Sequence, residues 1–368
     1  MAEAQAKDQH REQIRHVLDG LNSQKVFTGE EEVAALDLLE SCECWEPFKA
    51  IINQRIARLK GMDRLESYAR LARIQAHWLD DVFAAAETCA LLVNDTGIDY
   101  PAFCRDALSR IVEPEDFTTE GAILQAVKES FDEEGDRVLC LERLCLIYEK
   151  KKYNEALLHD CYQQLISVDP GNMKALKFFK MFHIQNHDFE KVIDVLESMF
   201  RADPHPDTRF RIAQEMATIY LYQLDQPEKA LETLDRHCEN SPLDSTTIRF
   251  EACYRLRDWE GSLGVLREFL LSIDSDEQRS IIYFKVGELE EQCGEKTRAE
   301  ESYLKSHRLN PAFLEPLENL IEMGLTEGDW SKVDRHLEVL KNSPGAGELA
   351  DQIEETRNRI RSGLPGAS

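Results

Sequence analysis

The residue types best suited to chemistry are ten cysteines and ten histidines, spread along 368 residues. His183 and His187 are four apart, a spacing that can set two imidazoles on one helix face to share a metal. No HExxH order accompanies them and no third ligand lies near in sequence, so a structural or surface role is the expectation. Cys42 and Cys44 are two apart, which turns them to different sides of a helix, and no CxxC pair completes a zinc site. Cys89, Cys140, Cys145, Cys161, Cys238, Cys253 and Cys293 fall singly at apolar helix positions and read as reduced, buried small hydrophobes. Gly294-Glu295-Lys296-Thr297 has the outline of a phosphate loop, but Gly and Lys are not adjacent and the upstream glycine is missing. No GxGxxG, GxSxG or kinase signature occurs. The reading is a non-enzyme with no catalytic residue, no metal and no cofactor.

Charge narrows the partners. Asp and Glu total 70 against 44 Lys and Arg, a net charge of -26, which repels nucleic-acid phosphates and anionic lipid. Nucleic acid is therefore not expected as a partner. Solubility is the plain explanation of the acidity. No run approaches the roughly 18 apolar residues of a membrane span, so no membrane insertion is expected. Met1 to Lys7 lacks both a signal-peptide core and a lipid-attachment cysteine. A reducing cytoplasm is the expected location.

The elements that carry these residues repeat. Pro170, Pro204, Pro242, Pro311 and Pro344 are spaced by 34, 38, 69 and 33 residues, and Ser272-Ile273-Asp274-Ser275 stands where one proline is skipped. A period of roughly 20 to 50 residues marks stacked supersecondary units. A second series keeps the same beat: Tyr153-Asn154-Glu155-Ala156, Phe189-Glu190-Lys191-Val192, Pro227-Glu228-Lys229-Ala230, Trp259-Glu260-Gly261-Ser262, Lys296-Thr297-Arg298-Ala299 and Trp330-Ser331-Lys332-Val333. Each is predicted to open a helix, with Asp188, Gln226, Asp258, Glu295 or Asp329 in front of it to accept backbone N–H bonds. The small fourth residue allows close helix approach. Leu196, Leu234, Leu266, Tyr303 and Leu337 continue the buried stripe one turn later, and proline closes the helix.

Each unit is thus a helix, a tight turn, a second helix and a Pro-containing turn such as Val168-Asp169-Pro170-Gly171-Asn172. This pattern resembles the tetratricopeptide repeat, about 34 residues long. The fifth unit matches best, through Val286-Gly287, Gly294, Ala299, Tyr303 and Leu309-Asn310-Pro311. Ala217-Thr218 and Phe179-Lys180 replace the large-small pair in other units. The resemblance implies an all-α chain, a right-handed α-solenoid of stacked antiparallel helix pairs. Residues 1–30 are read as an N-terminal helix and polar lead, 31–135 as divergent repeats, 136–345 as tetratricopeptide-like repeats, and 346–368 as a capping helix with a frayed tail. In the divergent part the expected helices open at Cys44-Trp45-Glu46 and span Leu65 to Ala76, Leu79 to Val93, Pro101 to Ile111 and Thr118 to Phe131, with Thr119-Glu120-Gly121 as a start. The last helix is expected over Glu348 to Arg361, covering the final repeat's apolar face.

The resemblance also implies where a ligand would lie, since in this family first-helix positions line a concave groove. Carried onto this chain, that register selects Lys174, Lys177 and Met181, then Glu215, Ile219 and Tyr222, then Thr247, Glu251, Tyr254 and Arg255. Phe284, Glu288 and Glu291 follow, and finally Glu318 and Glu322. The groove so defined turns acidic toward its C-terminal end, with aromatics interleaved, and lacks the Lys/Asn/Arg clamp by which some members hold an acidic C-terminal peptide. A protein scaffold or adaptor that takes a basic or amphipathic partner segment is the expected function. The alternative is an architectural or self-associating subunit without a peptide ligand.

Overall fold

The computed structural model describes residues 2–150, 155–237, 245–344, 346–347 and 350–363, with side chains from Arg11 onward. Tyr153, Asn154, Cys238, Pro242, Glu348 and residues 364–368 of the sequence reading lie outside the described residues. All regular structure among the described residues is helical. The chain divides into two compact units, 1–178 and 179–368.

The first unit runs α1 (Ala2–Asn22), α2 (Gly29–Ser41), α3 (Trp45–Arg58), α4 (Gly61–His77), α5 (Val82–Thr96) and α6 (Tyr100–Phe103). A π-helical turn over Cys104–Leu108 leads into α7 (Ser109–Ile111), followed by α8 (Phe117–Val127), α9 (Glu134–Lys150) and α10 (Glu155–Val168). Helices packed against their chain neighbours bury Phe48 and Ile51 of α3, Ile74 of α4, Leu92 of α5, Leu124 of α8 and Leu144 of α9. Each fully buried side chain of this size contributes roughly 1.5 to 3 kcal/mol. Expected boundaries shift, and α4 opens at Gly61 rather than at Leu65. Asp81 and Asp116 cap α5 and α8 through Ala84 N and Thr118 and Thr119 N, so these helices open at Val82 and Phe117 rather than at Leu79 and Thr118. The expected helix at Pro101 to Ile111 is interrupted by the π turn. Glu32 is buried, and Arg55 Nη1 reaches it at 3.2 Å while Arg58 also pairs with it.

The second unit takes up α11 (Met173–Gln185) partway and continues with α12 (Phe189–Ala202), α13 (Pro206–Tyr222), α14 (Pro227–His237), α15 (Thr246–Arg255) and α16 (Trp259–Leu270). Then come α17 (Asp276–Gln292), α18 (Lys296–Leu309), α19 (Glu315–Glu327), α20 (Trp330–Lys341) and α21 (Ala350–Gly363). Successive helices stacked on their chain neighbours make this unit an all-α, tetratricopeptide-like solenoid. The predicted openings at Phe189, Pro227, Trp259, Lys296 and Trp330 are the first residues of the second helices. Asp188, Asp258 and Asp329 cap them by accepting from Lys191, Gly261 and Lys332 N. Glu295 and Gln226 do not behave as expected. Glu295 makes no cap bond and pairs instead with Arg298 at 2.6 Å, while the buried Gln226 Oε1 has no hydrogen-bond donor. Both side chains carry one methylene more than Asp or Asn, which spoils the short reach a cap requires.

Turn geometry explains the repeat more fully than the caps do. Two residues before each of these helix openings the backbone is left-handed: His187 (φ 56°), Asp225 (51°), Arg257 (56°), Gly294 (79°) and Gly328 (71°). The same device recurs in the first unit at Glu43, Asp80 and Glu115. One backbone conformation reverses the chain at every one of these turns, whatever residue stands there.

The apolar stripes then meet. Ala213, Ala217 and Leu221 of α13 pack with Ala230 and Leu234 of α14 and Ala252 of α15. Leu263 and Leu266 of α16 meet Val286 and Leu289 of α17. Tyr303 of α18, wholly buried, joins Leu317, Leu320 and Val333, and Ile353 of α21 belongs to the same cluster. Arg357 of α21 is 5% exposed at its side chain and donates from Nε to Asp334 Oδ1 at 2.9 Å, a contact the reading of α21 as a polar cap did not foresee.

Candidate protein-binding face

The predicted face residues fall on α11, α13, α15, α17 and α19, one set per helix. Their surroundings differ from one helix to the next. Glu215 of α13 accepts two bonds from Lys180 of α11, at 3.0 and 3.1 Å, and Ile219 is buried. Met181 and Tyr222 are exposed. Arg255 of α15 donates to Glu251 at 3.0 Å, to Asp225 at 3.3 Å and to Leu221 O at 2.8 Å, with its guanidinium 5.2 Å from the Tyr222 ring centre. The bond to Glu251 holds Arg255 above the usual guanidinium range.

Tyr254 is exposed and stands edge-on to Trp259 at 5.4 Å, while Lys285 of α17 lies 5.5 Å over its ring. Lys285 also pairs with Glu288 at 2.8 Å. The middle of this face is therefore an alternation of rings, cations and carboxylates. Glu291 is engaged in the core instead, where it accepts from the Tyr303 hydroxyl at 2.6 Å, and Asn319 donates to the same hydroxyl oxygen at 3.1 Å. Burial, and then the carboxylate, push the Tyr303 hydroxyl pKa well up. Glu318 and Glu322, one turn apart on α19, are exposed, as is Thr247 on α15. Lys174 and Lys177 belong to the first unit and are exposed there, Lys174 paired with Glu142 at 3.1 Å.

Sequence reasoning missed an apolar cleft of ≈ 380 Å³ between α15, α16 and α17, lined by Phe250, Leu266, Phe269, Ile281, Phe284 and the rim residue Glu288 among others. Ile281 is half exposed there. Phe284 was selected, and its ring meets Tyr303 at 5.7 Å and Phe313 at 5.2 Å. The signal available for the cleft was Ile281, an isoleucine one helix turn before Phe284 and Lys285. A second cleft of ≈ 450 Å³ lies between α12, α13 and α14, lined by Phe200, Tyr220 and His237 among others, and holds none of the predicted residues.

The described cysteines are free, and Cys89, Cys140, Cys145, Cys161 and Cys253 are buried. His187 lies past the end of α11 in the left-handed turn, so it does not share a helix face with His183, which packs against Phe179 and Phe182. No group of three potential metal ligands occurs among the described residues. Cys89 is buried, and burial pushes its thiol up to about 12. Cys145 and Cys161 are not solitary: their sulfurs are 3.1 Å apart between α9 and α10. Cys293 is half-buried. No helix among the described residues is long and apolar enough to cross a membrane.

No family model and no curated protein sequence matches the chain. Among solved structures, MamA is similar over 49% of this chain and 96% of its own, at 16% identity and a TM-score of 0.34. Yeast Tom70 is similar over 98% of this chain and 94% of its own, at 10% identity and a TM-score of 0.31. The human IFIT1 dimer with m7Gppp-AAAA is similar over 96% of this chain and 76% of its own, at 13% identity and a TM-score of 0.27.

Proposed function

We propose that this chain is a non-catalytic scaffold that holds a basic or amphipathic segment of a partner protein against the first-helix face of its C-terminal repeats. The observation that carries the reading is the cleft beside Phe284 and Ile281, with Glu288 on its rim and Tyr254 exposed on the neighbouring helix. A partner's apolar side chain has a place to be buried there, and aromatic residues dominate such contacts. Carboxylates on the exposed side of α19, Glu318 and Glu322, supply orientation and salt-sensitive attraction for basic flanking residues.

The test is capture on the immobilised full chain from native lysate at low and at physiological salt, with the retained proteins identified. It is repeated with Tyr254→Ala and with Glu318→Lys/Glu322→Lys. Retention of one protein, weakened by salt and by both variants, supports the reading. Equal retention by wild type and variants removes it. Concentration-dependent self-association with no captured protein would favour the architectural alternative.

A further inference from the structure

Cys145 and Cys161 face each other across the α9/α10 pair. The Cys145 thiol donates to the Cys161 sulfur at 3.1 Å, and the Cys161 thiol donates in turn to Leu141 O at 3.6 Å. Both residues are buried. Two cysteines used only to fill space have no need of this alignment. A disulfide requires the sulfurs about 2.05 Å apart, so closing from 3.1 Å asks for a movement of about 1 Å between two helices already in contact.

We propose that Cys145 and Cys161 form a redox-sensitive site, in which a hydroperoxide converts the thiol pair to a disulfide that staples α9 to α10. The reaction follows from the hydrogen-bond order. Cys161 carries the accepting sulfur of the pair, and that sulfur attacks the hydroperoxide oxygen and gives up its own proton. The O–O bond breaks, an alcohol or water leaves with a proton, and Cys161 becomes a sulfenic acid. The Cys145 sulfur then attacks the Cys161 sulfur, gives up its proton and expels water. Two electrons and two protons have left the pair, and the hydroperoxide has been reduced.

The surroundings set the rate. The hydrogen bond to Cys161 and then burial raise the Cys145 thiol, and the carboxylates of Glu149 and Glu142 add to this. The Cys145 sulfur is therefore held as the thiol, and the pair responds to sustained oxidant. The staple would act where the two helices support the following repeat: Tyr162 of α10 stacks on Phe178 at 4.4 Å, and Glu142 of α9 holds Asn172 and Lys174 at 3.1 Å each.

The experiment treats the reduced full chain with hydrogen peroxide, blocks remaining thiols after denaturation, and maps tryptic peptides. Lys150, Lys151 and Lys152 separate the two cysteines, so a disulfide joins two distinct peptides. The expected product is that linked pair, two hydrogens lighter than its parts, with a raised melting temperature that dithiothreitol reverses. Cys161→Ser should abolish both link and shift, and in Cys145→Ser dimedone should label Cys161. Free thiols at both positions while Cys42 and Cys44 oxidise, or sulfinate at either without a link, would overturn the proposal. Mapping of the wild-type chain decides this even if a variant fails to fold.

Discussion

A Cβ on Gly287 would stand 2.6 Å from Cε1 of Tyr303. The absence of a side chain at that one point of α17 lets the wholly buried tyrosine of α18 lie flat against the helix, and Glu291 and Asn319 then reach its hydroxyl. The ring cannot move away without losing those bonds. Gly287→Ala should therefore destabilise the second unit by roughly 1 to 3 kcal/mol through overpacking, measured by urea unfolding. Gly264→Ala is the control: nothing lies within 4 Å of its added Cβ. Removing a helix-interior glycine should there be neutral or stabilising by up to about 1 kcal/mol.

Arg257 holds the left-handed turn of its repeat with φ 56°, where an L side chain costs about 1 to 2 kcal/mol. The equivalent positions Gly294 and Gly328 avoid that cost. Arg257→Gly should raise stability, by up to about 1 kcal/mol once the greater freedom of glycine in the unfolded chain is subtracted. Arg257→Ala, which keeps the strain, should not. Denaturant midpoints of the two variants separate turn strain from loss of the arginine's charge.

These turns show how much of the fold the sequence carried. The helix-opening tetrads placed five second helices to the residue, and at three of them an aspartate in front is the local signal. The turn itself was visible only where it is glycine, since His187, Asp225 and Arg257 adopt the same φ through the packing of the helices around them. The candidate face was less legible. Register can name Glu215, Glu251 and Glu288, but Lys180, Arg255 and Lys285 neutralise them, and two of those partners were not in the carried-over register. A register of face positions omits long side chains at neighbouring positions of the same helices, such as Lys180 and Lys285, that reach onto the face.

His336 of α20 is 4% exposed and its buried Nε2 has no hydrogen-bond partner. Burial lowers its pKa below the ordinary 6.5; Glu300 opposes this, and Arg335 and Lys332 reinforce it. The unfolded chain takes up a proton near pH 6.5 that the folded chain refuses. The neutral imidazole's contribution is therefore complete above 6.5 and is lost as pH falls from there toward the lowered folded value. Wild type should lose stability between pH 7.5 and 5.5 more steeply than His336→Gln, as followed by urea unfolding at each pH.

Arg357 ties the last helix down. Its Nε bonds Asp334, and Nη2 lies 3.1 Å from Glu338 without the alignment of a hydrogen bond. Burial alone would raise the Asp334 carboxyl, but the bonds from Arg357 and Arg361 outweigh it and hold it below the usual carboxylate range. Arg357→Ala leaves Asp334 only its bonds from Arg361 and should cost about 1.5 to 3 kcal/mol, the worth of a hydrogen bond to a charged group. Hydrogen exchange should show α21 opening first. Arg357→Met keeps a buried apolar stem one helix turn on from Ile353 and should cost less.

The structure changes which charges are worth reversing on the candidate face. Glu291→Lys would remove the acceptor of the buried Tyr303 hydroxyl, and Glu251→Lys would set a cation beside Arg255. Both should lower the melting temperature whether or not a partner binds there, so neither isolates recognition. Glu318 and Glu322 are exposed and can be reversed without disturbing such a bond. If the partner's basic residues meet them, the double reversal should weaken capture most at low salt, where screening is least, and leave melting unchanged. Tyr254→Ala should weaken the same complex by roughly 1 to 3 kcal/mol at either salt, because burial of a ring is not screened. Titrating the captured partner against both variants at two salt concentrations gives four affinities, and only contact at both places yields a salt-dependent loss in one variant and a salt-independent loss in the other.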